Sequence, residues 1–177
     1  MQEFHVYGSA GGTGTTTTAC TLAALASHQG HRVTLVDRSG DALAMMGHAR
    51  TPVPGFVVND AVVALGSDLA VFDHGRNLPE NVQGTKVLTV RSDYMSARGI
   101  TAACRPDYIV MLHRDGAVLG VADMAAVAGI PTDRVLVVKA DPVFARAIDA
   151  GLIMSRVIRD TPLASLLPTY EASQRLY

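Results

Sequence analysis

GSAGGTGTTTT, residues 8–18, follows the short apolar run FHVYG (4–8) and opens a stretch from Thr16 to His28 with Leu22, Leu25 and Ala26 on one helical face. Strand, glycine loop and helix in that order build an anion site in a parallel sheet, because backbone N–H groups and the positive helix end converge at the loop. Gly8, Gly11, Gly12 and Gly14 allow close backbone approach and positive φ. The four threonines Thr15 to Thr18 are poor helix formers, and their hydroxyls suit helix capping or a ligand. A tight strand-to-helix turn without a ligand is the plain alternative. The loop contains no lysine.

The same alternation runs through the rest of the chain. RVTLVD (32–37), LAVFD (69–73), KVLTV (86–90), YIVMLH (108–113) and RVLVVK (134–139) are apolar runs with little polar interruption. Such runs suit strands covered on both faces, which means a parallel sheet between helix layers. Helices are expected at 41–48, 94–104, 122–129 and 142–151, and a last one from Thr161 with Pro162 in its first turn. Residues 51–68 fit an extra strand, a short helix, or both. The expectation is one α/β domain over residues 1–177, a three-layer α/β/α structure with a mainly parallel sheet.

Composition narrows the functional classes. Hydrophobic residues make up 49% of 177 and charged residues 18%, which supports a large buried core. A net charge of −1 argues against a strongly electrostatic nucleic-acid binder. Cys20 and Cys104 are the only cysteines, too few for a disulfide framework or a zinc site. With no secretory pattern at the N-terminus and no run approaching the ~20 apolar residues of a membrane span, a cytoplasmic location is expected. His28 and His31 flank a helix stop at Gly30 and do not make a metal pair, and His74 reads as a loop histidine or a group facing the glycine loop.

SAGGTGTTTTACTLAALASHQGHRVTLVD (9–37) resembles the ParA/MinD partition ATPases, P-loop NTPases whose deviant Walker A motif reads K-G-G-x-G-K-T-T. Gly11, Gly12, Gly14, Thr16 and Thr17 match, while the two lysine positions fall on Ala10 and Thr15. DLAVFDHGRNL (68–78) resembles the family's Walker B strand, with Asp73 at the acidic position. GVADMAAVAGIP (120–131) and KADPVFARAIDAGLI (139–153) resemble its C-terminal segments. The resemblance implies ATP or ADP at Gly11, Gly12, Thr13, Gly14, Thr15, Thr16, Thr17 and Asp37. It also implies Mg²⁺ at Thr16 and Asp73, and Asp141 near the base. A second acidic residue usual in the family, which orients the attacking water, is Ser39 here. The family pairs subunits face to face across nucleotide, so a homodimer or a protein partner is implied, with DNA binding left open. Ala10 replaces the lysine that reaches across that interface.

These departures bear on mechanism. A lysine–phosphate hydrogen bond is worth roughly 1.5–3 kcal/mol, about one to two decades of affinity. A cation that stabilises phosphoryl transfer is worth roughly 10³–10⁵ in rate. The expectation is a pseudo-ATPase with weak residual nucleotide or phosphate binding, serving partition, positioning or regulation. Arg38 and Arg76 are the candidate substitute cations.

Two other classes stay open. Gly8, Gly11 and Gly14 also spell G-x-x-G-x-x-G, with Asp37 and Arg38 ending the next strand, which is similar to NAD(P)-binding NmrA-like dehydrogenases. Tyr94 is followed by Arg98, where that superfamily's catalytic pair needs lysine. A protein-interaction module that has lost its ligands is the third class.

Overall fold

The computed structural model describes residues 1–100, 105–155 and 161–168. Seven strands form one sheet: β1 (Gln2–Gly8), β2 (Val33–Asp37), β3 (Phe56–Asn59), β4 (Leu69–Asp73), β5 (Thr85–Arg91), β6 (Tyr108–His113) and β7 (Val135–Lys139). Their order is β3-β2-β4-β1-β5-β6-β7 and every pairing is parallel. The helices are α1 (Thr15–His28), α2 (Ala42–Met45), α3 (Tyr94–Arg98), α4 (Val121–Ala128) and α5 (Pro142–Asp149).

Successive strand side chains point to opposite faces, and here both faces are apolar. Phe4 and Val6 of β1, Leu69 and Val71 of β4, and Val87 of β5 meet Leu22, Ala23 and Ala26 of α1 on one face. α2, α5 and the 3₁₀ turns at Ile153–Ser155 and Pro162–Leu166 complete that layer. On the other face Tyr7, Leu88, Val90, Ile109 and Met111 pack against Ala97 of α3 and against Met124, Ala125 and Ala128 of α4. The three-layer parallel α/β architecture read from the sequence is the one observed.

Several boundaries differ. α2 is shorter than 41–48, because Gly47 and His48 both take positive φ and stop it. α3 ends at Arg98, and residues 101–104 of the expected 94–104 helix, Cys104 among them, lie outside the described residues. The segment from Thr161 is a 3₁₀ turn, not an α-helix. Within 51–68 the structure forms the short strand β3 and a loop. That loop covers the sheet where the helices do not: Ala64 N–H donates to Thr34 Oγ1 at 3.0 Å, and Val63 packs on Val36, Ala70 and Phe72.

Beside this patch His5, Phe72 and His74 stack nearly parallel, with ring centroids 4.6 Å (His5–Phe72) and 5.2 Å (His5–His74) apart. His5 Nδ1 and His74 Nε2 share a hydrogen bond of 3.0 Å, and both rings are buried. Burial lowers the pKa of each; that of His74 falls to about 4, with the positive charges of His5 and Arg38 adding to desolvation. In the unfolded chain these histidines titrate near 6.5. Below that pH the unfolded state therefore binds more protons, and stability is lost as pH falls from 6.5 towards 4. Urea unfolding at stepped pH should show His74→Gln losing up to one proton of that dependence, ~1.4 kcal/mol per pH unit at its steepest. An unaltered slope in the variant would show that His74 does not carry it.

Candidate functional site: a glycine loop beside an acidic pair

β1 ends at Gly8, and the loop to α1 stays over the C-terminal edge of the sheet. Gly8 N–H donates to Gly75 O at 2.8 Å and Ser9 N–H to Thr89 O at 3.0 Å, which ties the loop to the ends of β4 and β5. Gly14, at φ +81°, is the N-cap of α1, and no side chain caps the helix. The expected threonine cap is therefore absent: Gly14 has no hydroxyl to offer, and the threonines bond elsewhere. The first-turn N–H groups of α1 have no intrahelical acceptor, and no acidic residue stands in that turn. This is the arrangement an anion uses.

The threonines divide into an inner and an outer set. Thr15 Oγ1 lies 2.8 Å from Thr89 Oγ1, Thr13 Oγ1 lies 3.1 Å from the same atom, and Thr89 Oγ1 donates to Tyr7 O at 3.2 Å. Thr13 also donates to Ala10 O at 3.0 Å. All three hydroxyl side chains are buried beneath the loop. Thr13 and Thr15 thus support the loop from below and have only backbone N–H groups to present to a ligand. Gly8 is required by this cluster, since a Cβ there would stand 2.5 Å from both Thr13 Oγ1 and Thr15 Oγ1.

Thr16 faces the other way, towards the acidic pair. Parallel pairing of β2 with β4 sets Asp37 opposite Asp73. Ser39 Oγ sits between them, 3.0 Å from Asp37 Oδ1 and 2.6 Å from Asp73 Oδ2, and 3.3 Å from Thr16 Oγ1. Asp37 also accepts from Gly40 N–H (2.8 Å) and Leu43 N–H (3.2 Å), and Asp73 from Gly75 N–H (3.0 Å). The negative charge here reaches Cys20, whose thiol pKa is raised by burial first and by Asp73 and Asp37 next.

On the other side of the loop a cleft of about 340 Å³ runs from Gly14, Thr17 and Thr18 to Asp141, walled by Leu112, Val138 and Phe144. Asp141 caps α5, accepting from Val143 N–H at 2.8 Å. The structure therefore brings Thr16, Asp37 and Asp73 together on one flank of the loop, and Thr17 and Asp141 on the other.

The two substitute cations expected from sequence take different places. Arg38 lies over the Phe72 ring, 5.8 Å from its centroid. Arg76 lines a separate 940 Å³ cleft with Gly8 and Ser9. A cation at the loop's outer turn is Arg91, at the end of β5: its Nη1 is 3.7 Å from where a Cβ on Gly12 would stand. Sequence reasoning missed it, because only the β1–β5 pairing brings residue 91 to the loop.

Hydroxyl and carboxylate oxygens are the donors Mg²⁺ takes, with phosphates and waters completing its shell. Thr16 and Asp73 fit that role by chemistry and placement. Among the described residues no cluster of three or more His, Cys, Asp or Glu forms a site that would hold a metal by itself.

The strand order also discriminates between the open readings. In the dinucleotide-binding fold β2 lies beside β1, so that its terminal acid meets the ribose of a ligand on the loop. Here β4 lies between them, and Asp37 meets Asp73 instead. The dehydrogenase reading is overturned on that ground.

A glycine loop after a central strand of a parallel sheet, with acids ending the two strands to one side, defines a P-loop NTPase-like α/β protein. Comparison with solved structures finds the ParA/MinD fold. MinD from Aquifex aeolicus, in its complex with MinC, superposes with TM-score 0.71 at 15% identity, over 94% of this chain and 95% of that one. A ParA family ATPase from Chlorobium tepidum gives 0.69 at 12% identity, over 93% and 95%. The septum site-determining protein MinD of Pyrococcus horikoshii, complexed with Mg-ADP, gives 0.67 at 13%, over 93% and 91%. No family model matches the sequence, and neither does any curated protein.

Two loop glycines should respond differently. Gly8→Ala should cost ~1–3 kcal/mol, because the new methyl meets two buried hydroxyls. Gly11→Ala should stay within about 0.5 kcal/mol, since nothing lies within 4 Å of a Cβ there. Chemical denaturation of the two variants checks this; equal losses would mean that the inner threonine cluster does not constrain the loop.

Proposed function

We propose that the chain is a ParA/MinD-type nucleotide-binding protein that binds ATP or ADP weakly and does not hydrolyse ATP. Its role on this reading is partition, positioning or regulation in the cytoplasm, exercised through a homodimer or a protein partner. The observation that carries the reading is Thr15. At the position where the resembled family has its cis lysine, this side chain turns under the loop, 2.8 Å from Thr89 Oγ1.

The phosphates would rest on the N–H groups of residues 11–17, and the base in the cleft that reaches Asp141. Thr16 and Asp73 would hold Mg²⁺, which supplies charge to the phosphate oxygens when bound. Ser39 has no carboxylate to orient water; its hydroxyl donates to Asp73 or Asp37. Neither Ala10 nor Thr15 can place positive charge on a transferring phosphoryl group, so binding outlasts turnover.

Calorimetry with ATP, ADP and NADPH, beside a phosphate-release assay, tests this. ATP and ADP should bind more weakly than about 10⁻⁷ M, NADPH should not bind, and phosphate release should stay at background with or without Mg²⁺. Robust release after removal of contaminating ATPases would overturn the non-hydrolysing assignment. Failure of both ATP and ADP to bind would favour the ligand-free interaction module.

A further inference from the structure

The loop lacks both lysines of the resembled motif, yet an anion on bare N–H groups gains from a fixed cation. Lys139 stands on the wall of the lateral cleft, Arg38 lies over the Phe72 ring, and Arg76 lines the cleft at the Gly8–Ser9 end of the loop. We propose that Arg91 is the cation that holds phosphate on the glycine loop, supplied in cis from the end of β5. This assignment rests on the reading that the loop binds a phosphate-bearing ligand.

Three observations carry it. First, β5 pairs directly with β1, Gly8 lies opposite Thr89, and so Arg91 emerges where the loop passes over β5. Second, Arg91 Nη1 reaches to 3.7 Å from the Cβ position of Gly12, which takes φ +71° on the loop's exposed outer turn. That positive φ favours glycine at residue 12, and the guanidinium lies at ordinary contact distance from the turn. Third, the guanidinium has a carboxylate partner two residues along its own segment. Its Nε forms an ion pair with Asp93 Oδ2 at 3.0 Å, and Asp93 is itself fixed as the N-cap of α3, accepting from Ser96 N–H at 2.7 Å. The Arg91 backbone N–H in turn donates to Ser96 Oγ at 3.2 Å. Asp93 engages Nε, and among the described residues no hydrogen-bond acceptor engages either Nη group. A planar guanidinium paired through Nε leaves its two Nη groups for phosphate oxygens.

The pattern also accounts for the arginine. Lysine, a single point of charge on a flexible stem, cannot bond Asp93 through one nitrogen and phosphate through others. The ligand class is a phosphate-bearing anion with at least two linked phosphates, the same for a nucleoside di- or triphosphate and for inorganic pyrophosphate.

Calorimetry at low salt with ATP, ADP and pyrophosphate on wild type, Arg91→Ala, Arg91→Lys and Arg134→Ala tests this. Arg134 stacks on Tyr108 at the far edge of the sheet and controls for loss of one surface charge. Arg91→Ala should weaken each ligand that wild type binds by about 10- to 100-fold. Arg91→Lys should fall between, and Arg134→Ala should match wild type. If the alanine variant does not fold, the lysine variant decides, with wild-type affinity counting against the proposal. ATP and ADP binding unchanged in Arg91→Ala, or weakened equally in Arg134→Ala, would overturn the role of Arg91 and leave the nucleotide reading standing. Pyrophosphate binding that depends on Arg91, with no ATP or ADP binding, would uphold Arg91 and overturn the nucleotide reading. Wild type binding none of the three would overturn both.

Discussion

Insertion of β4 between β1 and β2 is the constraint on which the site depends. Parallel pairing in register on both edges sets Val6 opposite Asp73 on one side and Asp37 opposite Asp73 on the other. Two carboxylates thus reach the C-terminal edge of the sheet within one hydroxyl's span, on the α1 side of the glycine loop. Ser39, two residues past the end of β2, supplies that hydroxyl. Had β2 paired with β1, the same residues would build a ribose-reading acid beside a dinucleotide loop. The chemistry follows from strand order as much as from the residues.

The inner threonines show how a glycine loop with a short side chain at residue 15 is held. A lysine's ammonium would leave the loop for solvent or ligand. The Thr15 hydroxyl instead joins Thr13 and Thr89 in a buried cluster. Buried hydroxyls need partners, and the cluster provides them at the cost of requiring glycine at residue 8. The loop's shape therefore rests on its own interior and on its ties to Gly75 and Thr89. Residues 8–18 carry no cationic side chain of their own, which makes the position of Arg91 informative.

Much of this was legible in the sequence, for physical reasons that differ by element. The buried strands announced themselves because parallel strands covered on both faces leave no polar alternation. Residues 51–68 did not, because β3 is an edge strand of four residues and the loop after it covers the sheet through backbone and hydroxyl contacts, which leave no periodicity. The ends of α2 and α3 were overrun because local propensity does not reveal a positive φ at His48, or the contact of Gly99 with the loop backbone at Ser9. At the candidate site, Thr16, Asp37 and Asp73 were named from the family resemblance, and the structure brings them together around Ser39. The division of the threonines into inner and outer sets was not legible, since it depends on Thr89, seventy-four residues away from Thr15. Arg91 was hidden for the same reason.

The two carboxylates are not equivalent, and the hydrogen bonds assign them different work. Asp37 gives one oxygen to Gly40 N–H and the other to Leu43 N–H, so it closes the turn from β2 into α2. Withdrawing it towards a cation would strand two backbone donors, each costly to leave unpaired. Asp73 has one oxygen on Gly75 N–H, while the other meets only the Ser39 hydroxyl. A hydroxyl proton rotates freely between acceptors, and Ser39 has Asp37 Oδ1 within 3.0 Å as its second choice. Release of Asp73 Oδ2 therefore leaves no donor unsatisfied, and Thr16 Oγ1 stands within reach of the same hydroxyl. Of the two acids, Asp73 is the one with an oxygen that can change partner without stranding a backbone donor, and Ser39 is the group that lets it do so.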